Sequence, residues 1–146
     1  MIHAIKYLDN SLTTVESKLI YCEAKTTCIQ YLLNIGDFET LETVNLRTVK
    51  RYIENAISYL NFKSLDNKIT INNLYELKSI LENANLFLVT TIETGLLALI
   101  DTTKNIELRT DVKKHLIDVL NCINDCVNVI KTLEENHKTQ VEVCQN

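Results

Sequence analysis

Cysteine is the residue type best placed to do chemistry in this 146-residue chain, and four of its five cysteines fall in a pattern. Cys22 and Cys28 lie in the first helical segment that the sequence predicts, Cys122 and Cys126 in the last. Residues level with one another on antiparallel neighbouring helices have a nearly constant sum of residue numbers. Cys22 with Cys126 and Cys28 with Cys122 meet that condition together, so two disulfides between the first and last helices are expected. A bridge closing a loop of about 100 residues stabilises by about 4–5 kcal/mol in the chain-entropy model. A Cys22–Cys28 bridge would have to span about 9 Å of rise along one helix, beyond disulfide reach. Crossed pairing displaces the two bridges in opposite directions. Two other readings stand beside the bridges: buried free thiols acting as small hydrophobes, and a four-thiolate zinc site, for which CxxC spacing and a knuckle loop are both missing. Cys144 stays unpaired on the polar end of the chain.

The remaining candidates for chemistry are sparse. Glu134 and His137 form one Glu-x-x-His on a helix, whereas a di-iron bundle needs two such motifs and two more inward glutamates. His115 has only Asp111 before it at helical spacing, and His137 sits where a cation offsets a helix dipole. None of His3, His115 and His137 is grouped with a Ser or Cys as nucleophilic catalysis requires. No enzyme activity, cofactor or metal is therefore expected. The net charge of −4 gives no polyanion footprint, and Arg47, Lys50 and Arg51 read as a solvated helix face. A nucleic-acid partner is not expected.

The elements that must position these residues are helices. Proline is absent and glycine occurs twice, at Gly36 and Gly95, too few for a fold of many tight turns. A first seam runs Ile5, Leu8, Leu12, Val15, Leu19, Cys22, Thr26, Ile29, Leu33, in steps of three and four. It stops at Gly36, a natural C′ residue, and Asp37 is a candidate N-cap for the second helix. The second seam is Leu46, Val49, Ile53, Ala56 or Ile57, and Leu60. Polar residues from Lys63 to Asn72 predict the longest loop, after which Asn73 and Glu76 suggest a capping box. The third seam is Leu74, Leu77, Leu81, Ala84, Leu88, Ile92, Leu96, Leu99; the fourth is Val112, Leu116, Val119, Ile123, Cys126, Ile130, Leu133. The break between them is expected near Lys104, with Asn105 as a cap. The fold class is an all-α, antiparallel, up-down-up-down four-helix bundle with long helices, one domain over residues 1–146 with a frayed tail over 136–146.

Hydrophobic residues at 46% and charged residues at 23% are ordinary globular proportions. The N-terminus lacks the apolar core of a signal peptide, and Leu86 to Ile100 is too short to span a membrane. Disulfide chemistry makes an extracellular, mature chain the expectation, with a cytoplasmic protein as the alternative. Small residues at Thr91, Gly95 and Ala98 fall near Thr26, Ile29 and Leu116, a place for close helix packing or for an apolar ligand. Tyr7, Tyr21, Tyr52 and Tyr59 recur at heptad spacing outside the seams, as a partner surface would. Two functional expectations result. The first is a secreted, non-enzymatic, disulfide-braced binding module for a protein partner or an apolar small molecule. The second is an intracellular interaction protein, viral or otherwise, forming a homodimer with reduced cysteines.

Overall fold

Heptad-spaced apolar residues build four helices in a computed structural model that describes residues 9–36, 41–65 and 70–145, with side-chain surroundings for 11–36, 44–61 and 70–136. Helix α1 is Asp9–Ile35 and α2 is Leu41–Leu65. Helix α3 begins at Ile71, widens into a π-turn over Ile92–Leu96 and ends at Asp101. Helix α4, Ile106–Gln145, has 40 residues, about 60 Å at 1.5 Å per residue. Each helix packs against two others, in the cyclic order α1, α2, α3, α4. Short connections force neighbours antiparallel, and the side-chain pairs agree: Tyr52 meets Phe87 while Tyr59 meets Asn73, and Lys78 meets Glu134 while Asp101 meets Lys113. The bundle is the expected up-down-up-down one.

The seams are the core. Every described member of the α1 and α4 seams is buried, Leu12 to Leu33 and Val112 to Leu133. In α2 the core takes Ala56 and leaves Ile57 partly buried against it. The α3 seam holds from Leu74 to Leu88 and then changes phase. Thr91 and Ile100 are buried in place of Ile92 and Leu99. The π-turn causes this: from Thr91 to Leu96 is a five-residue step, which keeps both on one face only where the helix is locally wider. Gly95 sits in that turn with φ 175° and ψ −14°, outside helical values.

Helix ends differ from expectation in detail. Gly36 closes α1, its N–H donating to the Leu32 carbonyl at 3.0 Å, while Asp37 lies outside the described residues. The loop before α3 is shorter than Lys63 to Asn72, because α2 continues to Leu65 and Thr70 caps α3. Asn73 is therefore the third helical residue and not the cap. The Asn73 N–H donates to Thr70 Oγ1 at 3.3 Å and the Thr70 N–H donates to Asn73 Oδ1 at 3.0 Å. Asn105 caps α4 as expected, its Oδ1 accepting from the Leu108 N–H at 3.1 Å. The backbone of α4 is helical to Gln145. Among the described residues one helix, Ile71–Asp101, is long and apolar enough to cross a membrane, its most apolar 18-residue window having a mean hydropathy of 1.4. Its seam residues pack into the bundle against α2 and α4.

Candidate functional site

The α1–α4 contact decides what the cysteines can do. Cys22 lies opposite Val119, its Sγ 3.9 Å from the Val119 carbonyl oxygen. Cys122 lies opposite Lys18, with Sγ 3.0 Å from that carbonyl, and Cys126 opposite Val15, at 3.9 Å. Cys126 is thus one heptad away from the level of Cys22. The expected Cys22–Cys126 and Cys28–Cys122 bridges do not form: all four cysteines are free thiols, and Cys28 is exposed. Charge pairs hold the observed register, Lys18 to Asp125 at 3.5 Å and Lys25 to Asp118 at 3.3 Å.

What the register builds instead is a cluster of three thiols. Cys122 adjoins both Cys22 and Cys126, while each of the three thiols donates to a carbonyl of the facing helix. Cys22 and Cys126 are fully buried, whereas Cys122 is 7% exposed. Cys122 forms the floor of an open groove of about 540 Å³ between α1 and α4, walled by Ser17, Lys18, Tyr21, Asp118 and Asp125 among others. The neighbouring Cys126 and Cys22 side chains push the Cys122 thiol down from its ordinary value, helped by Lys18 and opposed by burial and Asp118. The nearness of Cys122, together with burial, pushes Cys22 and Cys126 up. Of the three, Cys122 gives up its proton first. Among the described residues, no group of three or more His, Cys, Asp or Glu side chains is arranged to hold a metal ion.

The residues expected around an apolar ligand are mostly core. Thr26, Ile29, Thr91 and Leu116 are buried, but Ala98 is exposed and Gly95 half-exposed. The Thr26 hydroxyl donates to the Cys22 carbonyl and the Thr91 hydroxyl to the Phe87 carbonyl, both at 2.8 Å. Both hydroxyls are therefore satisfied within their own helices. The tyrosines divide. Tyr7 lies outside the described residues. Tyr21 is exposed on α1, with the Lys25 ammonium 5.2 Å from its ring centroid. Tyr52 and Tyr59 are partly buried between α2 and α3: Tyr52 packs its ring on Phe87, and Tyr59 donates to Glu76 and accepts from Asn73.

Two features lay beyond the sequence reading. Glu134, considered there only for metal, is buried at 7% exposure and paired with Lys78 at 2.8 Å, tying the start of α3 to the far half of α4. The second is the outside of α1. Every exposed residue of α1 from Thr13 to Ile35 is uncharged, and Ile20, Tyr21, Tyr31 and Ile35 are large and apolar. Its charged residues in that span, Glu16, Lys18, Glu23 and Lys25, all sit on the flanks, half-buried. Helix α2 shows the usual arrangement, with Arg47, Arg51 and Glu54 outward. Apolar residues on several sides of one helix are the signature of a helix that is enclosed, and α1 is covered by the bundle on one side only. The available signal was the uninterrupted absence of charge at every position outside the seam and its flanks.

Comparison of the chain with protein-family models, curated proteins and solved structures found no match.

Proposed function

We propose that this chain is a non-enzymatic helical interaction module that docks a protein partner through the outer face of α1. The observation that carries the reading is the charge-free run of exposed residues from Thr13 to Ile35, with Ile20, Tyr31 and Ile35 at 51%, 65% and 60% exposure. A solvated helix face ordinarily carries Lys and Glu. A face without them gains free energy when an apolar partner surface covers it, at roughly 25 cal/mol per Å² removed from water. Tyrosine adds area with a polar tip, suited to interfaces. The free thiols favour a reducing compartment over the secreted alternative, since the paired cysteines that pointed outside the cell are not level.

The test replaces Ile20 and Tyr31 by lysine. Both side chains are exposed, so the double variant keeps its helix content and melts within a few degrees of wild type. It loses the partner that wild type co-isolates from its native cells, and in sedimentation velocity it loses any dimer that wild type forms. Equal recovery of the partner by wild type and variant would refute the docking face. Loss of fold in the variant would show instead that the α1 outer face belongs to the core.

A further inference from the structure

The thiol cluster is not used by the docking face, and it is built for a reaction of its own. We infer that Cys122, at the floor of the α1–α4 groove, is the site at which a hydroperoxide oxidises this protein, and that Cys22 resolves the product into a Cys22–Cys122 disulfide. The geometry has three parts. An open groove of about 540 Å³ is lined by Cys122, the only one of the three clustered cysteines that borders it. Two more thiols, Cys22 on α1 and Cys126 on α4, adjoin Cys122 and are themselves shut off from solvent. Lys18 on α1 and Asp118 and Asp125 on α4 are the charged groups of the groove wall, with Tyr21 beside them. The ammonium of Lys18 favours a thiolate at Cys122, and the Asp118 carboxylate tempers it.

The steps balance without a further reagent. The Cys122 thiolate attacks one oxygen of the hydroperoxide, and the O–O bond breaks. Its electron pair leaves on the other oxygen, which takes a proton to become water or an alcohol. Cys122 is then a sulfenic acid, oxidised by two electrons. The Cys22 sulfur next attacks the Cys122 sulfur and the S–O bond breaks, while the proton of Cys22 leaves with the hydroxyl as water. Two thiols have become one disulfide and one peroxide has been reduced. A lowered thiol pKa and solvent access with a resolving cysteine alongside are what such sites share.

Cys22 and not Cys126 is the resolving partner because of where the two stand. Cys122 and Cys126 are four residues apart on one helix, where Cβ atoms are about 5–6 Å apart, while a disulfide needs about 3.5–4.5 Å. Closing that pair would distort α4. Cys22 is on the facing helix, so closing that pair joins two helices and leaves the backbone of α4 intact. The product fastens the docking helix covalently to α4.

The experiment treats the full-length, reduced protein with hydrogen peroxide and maps thiols by mass spectrometry of a non-reduced digest. A Cys28→Ser/Cys144→Ser background removes the two cysteines outside the cluster, and wild type is run beside it. The expected product is the Cys22–Cys122 cross-linked peptide, formed at least tenfold faster than peroxide oxidises glutathione under the same conditions. In Cys22→Ala, Cys122 is expected to stop at the sulfenic acid, trapped by dimedone. A Cys122–Cys126 bridge overturns the assignment of Cys22. Oxidation of wild type confined to Cys28 or Cys144, with Cys122 still a thiol, overturns the site itself. Both outcomes are read in wild type, so the inference does not depend on whether Cys22→Ala folds.

Discussion

Replacing Lys78 by methionine asks whether α3 and α4 are held by a buried charge pair or only by their seams. Lys78 Nζ is 2.8 Å from Glu134 Oε2, and the two side chains are 15% and 9% exposed. The other carboxylate oxygen, Glu134 Oε1, is buried with no hydrogen-bond partner. Methionine retains most of the aliphatic stem, which runs beside Tyr75 (the ammonium is 4.6 Å from that ring centroid). What it removes is the counter-charge. Breaking a buried pair from one side costs about 3–5 kcal/mol, because the orphaned charge stays buried. This pair keeps some solvent contact, so a loss of about 3 kcal/mol is expected, or about 6–12 °C in Tm for a chain of this size. Urea unfolding followed by circular dichroism at pH 7 measures it. Adding Glu134→Leu should recover at least half the loss, since the uncompensated charge is then gone. The hydrogen bond to Glu134 raises the Lys78 pKa against the opposing effect of burial. A raised lysine contributes stability that is fully present below the ordinary lysine value of about 10.4 and is lost as pH climbs through the folded value. The gap between wild type and Lys78→Met should therefore hold from pH 7 to about 10 and narrow above it. A loss below about 0.5 kcal/mol, or a double variant no more stable than Lys78→Met, would refute the reasoning and reduce the pair to a surface contact.

Deleting Thr94 should remove the π-turn, because Thr91, Leu96 and Ile100 then fall at uniform four-residue steps; helix content and Tm should stay near wild type, whereas deletion of Ser79, in a regular stretch, should unfold the bundle. Thr70→Ala should cost about 1 kcal/mol by urea titration, since it removes one half of the reciprocal cap with Asn73. Iodoacetamide should label Cys122 faster relative to glutathione as pH falls from 8.5 to 6, because a depressed thiol keeps its thiolate where an ordinary one loses it; a constant ratio would show that the neighbouring side chains do not push it down.

The seams were legible because burial in a bundle has the period of the helix, and Leu12 to Leu33 or Val112 to Leu133 repeat it without interruption. Register between helices was not legible from the seams. A heptad pattern slid by one heptad matches its partner as well as before, so the apolar residues alone cannot tell Val15 from Cys22 as the neighbour of Cys126. The flanking charges carried that information: Lys18 with Asp125 and Lys25 with Asp118 are satisfied together in the observed register. Level cysteines without those charges put the expected disulfides one heptad out. In α3 the regular reading ran through Ile92 and Leu99, although small residues at Thr91, Thr94 and Gly95 left room for a wider turn and an extra residue. The N-cap of α3 was missed by one turn because Asn73 can serve both as cap and as the side chain that answers one. Tyr52 and Tyr59 share the heptad spacing of surface residues, yet they flank the α2 seam and fold against Phe87 and Glu76. The α1 outer face was legible as the missing charges and was read only through Tyr21.

Docking through α1 is tested most directly by a photo-crosslinking residue placed at Ala24, in the middle of the exposed uncharged run, and for comparison at Ser58 on the exposed side of α2. Irradiation of the full-length protein in its native cells should give one discrete adduct from position 24, of the mass of a partner or of a second copy. Position 58 should give none above background, and Ile20→Lys with Tyr31→Lys should abolish the adduct at position 24. Equal crosslinking from the two positions, or an adduct at position 24 that survives both lysines, would contradict it.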